Sequence, residues 1–141
     1  MIEETILIIK PDIIKKKYIG KILNILERKN IQIKYLKMIK LDYNTAREFY
    51  LEHEKKNFFN ELINFIISEK IVILILEGNN IINKIRNLIG NTDLTKAKKN
   101  TIRKKFATNL TENAVHASDS KNSFLKEKKI LFEFIKKTQY E

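Results

Sequence analysis

The sequence is short of residues that cross-link or interrupt a chain: its 141 residues include no cysteine, one proline, Pro11, and three glycines. The lack of cysteine excludes disulfides and thiolate metal sites. No stretch rich in Pro, Ser or Gly marks a linker, so we expect one domain over residues 1–141. The usual phosphate-binding loops, Gly-x-x-x-x-Gly-Lys-Ser/Thr and the kinase Gly-rich loop, are also absent.

Long apolar runs are absent as well. No stretch of 18 apolar residues occurs, so the sequence predicts no transmembrane helix. The first four residues, Met1-Ile2-Glu3-Glu4, are acidic where a secretory signal would be basic. We therefore expect a cytoplasmic protein that has no membrane partner.

Acidic residues are a minority, with 17 Asp and Glu against 28 Lys and Arg and a formal net charge of +11. Such a charge implies attraction to polyanions: nucleotides, nucleic acid or acidic membrane surfaces. Charge alone does not choose among them. Lysine runs such as Lys15-Lys16-Lys17 and Lys136-Lys137 are also compatible with a solvated face or a compositional bias.

The hydrophobic pattern predicts alternating strands and helices. Continuous apolar runs at residues 5–9 and 71–76 are typical of buried strands, and the alternation over residues 31–41 is typical of a half-solvated edge strand. Helical spacing of apolar residues predicts helices at residues 18–29, 59–69 and 81–90, with a further short helix capped by Asn44 or Thr45.

The second half of the chain contains a long stretch without periodicity, residues 91–112, which is more often functional than idle in a compact domain. A short strand at residues 114–116 and a helix at 121–131 follow it. The order predicts an α+β fold of the ferredoxin-like, split βαβ type: a four-stranded antiparallel sheet with helices on one face.

The segment from Asn113 to Ser120 sets His116, one of two histidines, among small polar residues that would expose its imidazole. A neutral imidazole can accept a phosphoryl group on one nitrogen if an acceptor holds the proton on the other. Glu127 is a candidate acceptor, because Ser120 is a good N-cap that would place it about two turns into the last helix. Considered alone, His116 and Glu127 are also compatible with ordinary surface or core residues.

Asn113-x-x-His116-Ala-Ser-Asp-Ser resembles the active-site signature of nucleoside diphosphate kinases, and the resemblance covers nearly the whole chain. Its further motifs occur in the family's order: Lys10-Pro11-Asp12, Phe49-Tyr50, Phe58-Phe59, Glu77-Gly78, Arg86, Thr92, Thr101-Ile102-Arg103 and Glu127. The resemblance implies a ping-pong transfer of the γ-phosphate from a nucleoside triphosphate, typically ATP, to a nucleoside diphosphate. The phosphohistidine would form at Nδ1 of His116, with Glu127 holding Nε2 and Ser118 bonded to that carboxylate.

The same resemblance implies the remaining site residues. Tyr50 would pack beside the histidine, and Phe58 and Leu110 would clamp the base without reading its edge, which implies low base selectivity. Mg²⁺ would be the cofactor, held mainly by nucleotide phosphates rather than by a protein ligand. The phosphates would be bound by His53, Arg86, Thr92 and Arg103. The sugar hydroxyls would be bound by Lys10 and Asn113.

The departures from the family pattern are local. Ile13 stands where glycine is common, Lys56-Asn57 replaces Arg-Pro, and Lys99-Asn100 replaces Pro-Gly. Leu94 occupies a position that is usually proline. Loss of loop prolines leaves the unfolded chain more freedom, which costs roughly a few tenths to 1 kcal/mol per site, and it bears on loop rigidity and assembly rather than on chemistry.

The alternative from another class is a basic ferredoxin-like nucleic-acid-binding module, and non-specific nucleic-acid binding is compatible with the charge. The buried strands carry no aromatic residue with which to stack bases, which disfavours an RNA-recognition sheet. A catalytically silent relative is a third possibility. The resemblance also implies a homo-oligomer, a hexamer in preference to a dimer or tetramer.

Overall fold

A computed structural model describes residues 1–139 as four strands and seven helices with a short 3-10 turn at Leu51–His53. The strands are antiparallel neighbours in the order β2-β3-β1-β4, so β2 is an edge strand and β3 is central, as the sequence predicted. In chain order the elements are β1 (Ile2–Ile9), α1 (Pro11–Lys16), α2 (Ile19–Arg28), β2 (Gln32–Ile39), α3 (Tyr43–Phe49), α4 (Phe59–Ile66), β3 (Ile71–Asn79), α5 (Ile81–Ile89), α6 (Ile102–Phe106), β4 (Val115–Ala117) and α7 (Lys121–Thr138).

The sheet is covered by helices on both faces, and here the predicted arrangement with helices on one face needs correction. Successive side chains of a strand point to opposite faces. Ile6 and Ile8 of β1 therefore enter a core with α3, α4 and α7, whereas Leu7 and Ile9 enter a second core with α2 and α5. The continuous apolar runs of β1 and β3 are the physical reason, because a strand exposed on one face would alternate. The α+β class and the four-stranded antiparallel sheet are confirmed.

Covering both faces also bears on the nucleic-acid alternative. An RNA-recognition sheet presents an open face on which bases stack. In this fold β1 is buried from Ile6 to Ile9 and β3 is buried from Ile71 to Leu76. The sheet therefore offers no open stacking face along these central strands.

Several element boundaries differ from the sequence prediction for local reasons. The α3 helix is capped by Asp42, whose carboxylate accepts the Thr45 N–H at 2.8 Å, rather than by Asn44 or Thr45. The last helix is capped by Ser120, as predicted, but runs on to Thr138 because buried residues continue at helical spacing. The predicted unstructured segment contains α6, capped by the side chain of Thr101. Within the described residues, no helix is long and apolar enough to cross a membrane.

Candidate active site

The His116 imidazole lies at the centre of a polar cluster that joins β4 to α7. His116 is the middle residue of β4, and Glu127 is in the second turn of α7. The His116 Nε2 and Glu127 Oε1 atoms are 3.1 Å apart, and Ser118 Oγ donates to the same oxygen at 2.7 Å. Glu127 is thus held by two neighbours and is itself mostly buried.

This pairing determines which nitrogen of His116 is available for reaction. An ionised carboxylate can only accept hydrogen bonds, so the contact with Glu127 requires a proton on Nε2. The other nitrogen, Nδ1, then carries the free lone pair of a neutral imidazole. The arrangement matches a nucleophile oriented by an acceptor on its opposite side.

Two aromatic rings fix the imidazole from the α3 side. The ring centroids of Phe49 and His116 are 5.1 Å apart with an interplanar angle of 69°, and Tyr50 lies edge-on at 6.2 Å. The Tyr50 hydroxyl is buried without a hydrogen-bond partner among residues 1–139. Burial, followed by the charge of Glu127, raises the pKa of Tyr50 well above its usual value, so the phenol stays neutral. Phe49, which the sequence reading assigned no role, is the nearer ring.

The Lys10-Pro11-Asp12 motif supports the other side of the site. Pro11 opens α1, where its missing N–H is tolerated. The Lys10 N–H donates to the Ala114 carbonyl at 2.9 Å, and the Ala114 N–H donates to Asp12 Oδ2 at 2.9 Å. Ala114 has a positive φ of 76°, a conformation that alanine seldom adopts. These two bonds therefore stabilise a strained residue that lies directly between Asn113 and β4.

Lys10 and Asn113 are hydrogen-bonded to each other on this side of the site. Both are buried, and Lys10 Nζ donates to Asn113 Oδ1 at 2.8 Å. The Asn113 amide in turn donates to the Leu110 carbonyl at 3.1 Å. The amine of Lys10 and the carboxamide of Asn113 are thereby fixed side by side, and both residues line the cavity described below.

Arg103 ties the loop after α5 to β4. Its two terminal nitrogens donate to the carbonyls of Gly90 and Val115 at 2.9 and 2.8 Å. Burial, followed by the charge of Arg86, lowers the pKa of Arg103 to about 10, so the guanidinium remains a cation at neutral pH. Neutral carbonyls hold the guanidinium in place and leave its positive charge without a carboxylate partner among the described residues.

A cavity of about 640 Å³ brings together most of the residues that the sequence singled out. Arg86 instead lines an adjoining cavity of about 600 Å³, which shares Thr92 and Arg103 with the first. The predicted residues lining the first cavity are Lys10, His53, Phe58, Thr92, Arg103, Leu110, Asn113 and His116.

The outer part of the cavity is apolar and open. Phe58 and Leu110 are 45% and 69% exposed, and both line the cavity, so their apolar surface is available to a ligand. The His53 ring centroid lies 6.0 Å from that of Phe58. Burial, followed by the charge of Lys56, lowers the pKa of His53, which favours the neutral imidazole.

The chain is similar to known proteins over most of its length. A sequence model described as nucleoside diphosphate kinase matches residues 3–136. The nucleoside diphosphate kinases of Methanocaldococcus jannaschii and Wigglesworthia glossinidia brevipalpis are 43% and 46% identical to the chain, each alignment covering 93–94% of it and 92–94% of the relative. The chain belongs to the nucleoside diphosphate kinase family.

Solved structures of the nucleoside diphosphate kinase family share the fold. The Aquifex aeolicus enzyme superposes with a TM-score of 0.88 at 40% identity, covering 93% of this chain and 95% of its own. The Halobacterium salinarum enzyme, solved in complex with CDP, gives 0.88 at 32% identity, covering 92% and 87%. The match confirms the fold class predicted from the sequence.

In this nucleoside diphosphate kinase, four polar residues for which the sequence predicted no binding role also line the first cavity. They are Lys56, Glu61, Asn109 and Thr111. Among residues 1–139, no cluster of three or more His, Asp or Glu side chains is placed to hold a metal ion. The polar groups that the cavity offers are mainly cations and amides, which suit phosphate and sugar oxygens rather than a metal.

Proposed function

We propose that this chain is a nucleoside diphosphate kinase that works by a ping-pong mechanism through a phosphohistidine at His116. The observation that carries the proposal is the His116 Nε2 to Glu127 Oε1 contact of 3.1 Å, which directs the free Nδ1 away from α7. In the first half-reaction, Nδ1 attacks the γ-phosphorus of a nucleoside triphosphate. The bond to the β-phosphate oxygen breaks, and the nucleoside diphosphate leaves with that electron pair. The second half-reaction is the reverse, onto a different nucleoside diphosphate.

The protein contributes position and charge rather than covalent help. Phosphoryl transfer depends on in-line placement and on neutralising the charge of the transferring oxygens. We propose that Arg103 and Thr92, which line both cavities, and Arg86, which lines the second, bind the phosphates. Lys10 and Asn113 are proposed to bind the sugar hydroxyls. Because the hydrogen bond to Glu127 holds the imidazole proton on Nε2, Nδ1 is already unprotonated. The imidazole therefore needs no proton transfer before it attacks.

Mg²⁺ is proposed as the cofactor, entering with the nucleotide. Its ordinary ligands are phosphate oxygens and water, with few or no protein groups. The cationic lining of the cavity fits a metal carried by phosphates rather than one held by side chains. When bound, the ion would supply further charge neutralisation at the β- and γ-phosphates.

For the base, we propose a clamp between Phe58 and Leu110 with low selectivity, because stacking is available to every base. The Halobacterium relative is described with CDP bound. Both ribo- and deoxynucleotides are proposed substrates. The proposal therefore covers nucleoside di- and triphosphates as a class.

The decisive experiment is incubation with γ-labelled ATP and Mg²⁺, followed by a test for acid-labile, alkali-stable label on the chain. We expect one label per chain, discharged by an added nucleoside diphosphate. His116→Ala should abolish the label while the fold, measured by circular dichroism, is retained. His53→Ala is the matched control, since it removes the other histidine and should slow labelling without removing it. Stoichiometric labelling of the His116→Ala protein would contradict the assignment.

A further inference from the structure

The Lys10 amine is buried without a negative partner. Lys10 is 4% exposed, and its Nζ donates to the neutral Oδ1 of Asn113 at 2.8 Å, the one hydrogen bond of this amine among residues 1–139. Among residues 1–139 no carboxylate forms an ion pair with it. A buried ammonium of this kind costs several kcal/mol unless it is paired, and proteins commonly avoid the cost by leaving the amine neutral.

The charged groups around Lys10 do not compensate for the burial of a positive charge. Asp12, on α1, is a carboxylate whose charge acts on Lys10, but its Oδ2 accepts the Ala114 N–H and its Oδ1 is buried without a partner in the described part of the chain. Burial raises the pKa of Asp12, and the charge of Asp12 opposes only part of the lowering of the Lys10 pKa by burial and Arg103. Arg103, on α6, is a cation that faces the same cavity and repels a second positive charge. The other titratable groups lining the cavity are His53, Lys56, Glu61 and His116.

We propose that Lys10 is a neutral amine in the nucleotide-free protein and takes up a proton when nucleotide phosphates enter the cavity. The proposal rests on the proposed function, because it needs a polyanionic ligand beside Lys10. Desolvation by burial, then the charge of Arg103, lowers the pKa of Lys10 to about 7, opposed by Asp12. A bound phosphate group supplies the missing negative charge, which raises the pKa of the amine and favours its charged form.

At pH 8, Lys10 would then be charged mainly in the nucleotide complex. In the empty cavity, the neutral amine donates to Asn113 and adds no repulsion to Arg103. In the loaded cavity, a proton from solvent completes the ammonium, which can contact a phosphate oxygen and a sugar hydroxyl together. Because one proton is taken up per nucleotide, affinity should fall about tenfold for each pH unit above the pKa of the empty protein.

The direct test is NMR of the full chain with ¹⁵N- and ¹³C-labelled lysine at pH 8, free and saturated with Mg²⁺-ADP. The Lys10 signal, assigned by its loss in Lys10→Arg, should have the shift of a neutral amine in the free protein and of an ammonium in the complex. Lys56 is the matched control, because it is exposed at the same cavity and should remain charged in both states. If Lys10→Arg is unfolded, Lys10→Met provides the assignment.

The second measurement is the affinity for Mg²⁺-ADP from pH 7.5 to 9 at constant ionic strength. This range lies above the ordinary titration of histidine and of a terminal phosphate. Wild type should lose about tenfold per pH unit, and Lys10→Arg, whose side chain stays charged, should show a flat profile. A charged Lys10 in the free protein at pH 8, or a neutral Lys10 in the complex, would overturn the proposal. Failure of Mg²⁺-ADP to bind, or of His116 to accept label, would instead overturn the proposed function.

Discussion

In the proposed reaction, Glu127 acts through His116 rather than on the nucleotide. Its Oε1 accepts from both His116 Nε2 and Ser118 Oγ, which fixes the tautomer and the direction of the imidazole. Without the carboxylate, the ring can still attack from Nδ1, but it is no longer held in one tautomer or one orientation. Glu127 is therefore a positioning residue.

Glu127→Ala is expected to slow phosphorylation of His116 by roughly 10- to 1000-fold without abolishing it, the range typical of positioning effects. The measurement is a single-turnover burst with labelled ATP. Glu127→Gln is the informative companion, because its amide oxygen can still accept from Nε2 and should restore part of the rate. An unchanged burst rate in Glu127→Ala would contradict the positioning role.

The buried Lys10 is expected to reduce the free energy of unfolding at neutral pH. Its pKa falls from 10.5 to about 7 on folding, so between these values the unfolded chain binds more protons than the folded one. Stability then rises with pH across that window. Lys10→Met should be more stable than wild type at pH 7, by at most about 5 kcal/mol, with the advantage shrinking towards pH 10.

Urea denaturation of both proteins from pH 7 to pH 10 tests this. Lys56→Met, which removes an exposed lysine of the same cavity, should change stability little at either pH. If Lys10→Met is less stable than wild type at pH 7, the amine must be accommodated as a charge by contacts other than Asn113. Lys10→Met should also lose kinase activity, which sets function against stability at one residue.

The base clamp makes a prediction at the same scale. Phe58 and Leu110 offer apolar surface, so catalytic efficiency with ADP, GDP, CDP and UDP should differ by no more than roughly one to two orders of magnitude, since stacking strengths of about 1 to 3 kcal/mol differ only partly among bases. Steady-state kinetics with the four acceptors measures this. A thousandfold preference would mean that Glu61, Lys56 or Asn109, which line the cavity, reads a base edge.

At the scale of elements, Gly90 connects α5 to the long segment that precedes β4. It ends α5 with a φ of 89°, and its carbonyl accepts from Arg103. A Cβ added to Gly90 would lie 2.5 Å from Thr101 Oγ1, the side chain that caps α6. Any larger residue would therefore strain the backbone and displace the cap of the helix that carries Arg103.

Gly90→Ala is expected to destabilise the fold by about 1 to 3 kcal/mol, because both the positive φ and the close approach oppose it. Gly20→Ala is the matched control: Gly20 lies in the first turn of α2, nothing lies within 4 Å of a Cβ added there, and the change should stabilise the helix by up to about 1 kcal/mol. Thermal denaturation of both variants gives the comparison. Equal or opposite shifts would contradict this account of the junction.

How far the sequence predicts this molecule depends on the reach of each contact. The strands and most helices follow from local apolar spacing, and the Ser120 cap follows from residue type. The hydrogen bond between Asp12 and Ala114 joins residues 102 positions apart, and no local sequence pattern predicts it. Likewise, the ring of Phe49 beside His116 depends on how α3 docks against β4.

Of the remaining differences from the sequence prediction, one had a signal in the sequence and the others had none. Helices on both faces were implied by the continuous apolar runs of β1 and β3, which a one-sided sheet would not need. The positive φ of Lys17 has no residue-type signal, because that position usually favours glycine or asparagine. The cavity residues Lys56, Glu61, Asn109 and Thr111 come from separate loops and α4, so their meeting is a product of the tertiary fold.

At the scale of the whole molecule, the edge strand β2 and the net charge act in opposite directions on assembly. β2 pairs with β3 on one side only, and Leu36 and Met38 on it are 50% and 42% exposed. An open edge with exposed apolar residues favours pairing with a symmetry mate. Six copies of a chain of charge +11 carry +66, which opposes assembly at low ionic strength.

We expect a homo-oligomer at about 0.15 M salt, where the Debye length is about 8 Å and repulsion between distant charges is screened. We expect a dimer through β2 as the basic unit and a hexamer built from dimers as the complete assembly, with the loop after α5 near its higher-order axis. Leu94, in place of the usual loop proline, bears on the hexamer more than on the dimer. Light scattering gives the mass directly: a value near the 16.7 kDa of one chain would contradict both expectations, and a stable dimer or tetramer would contradict the hexamer alone. Leu36→Glu should break the assembly to monomers, whereas Leu125→Glu, which charges an exposed leucine of α7 instead of one on β2, should leave the mass unchanged.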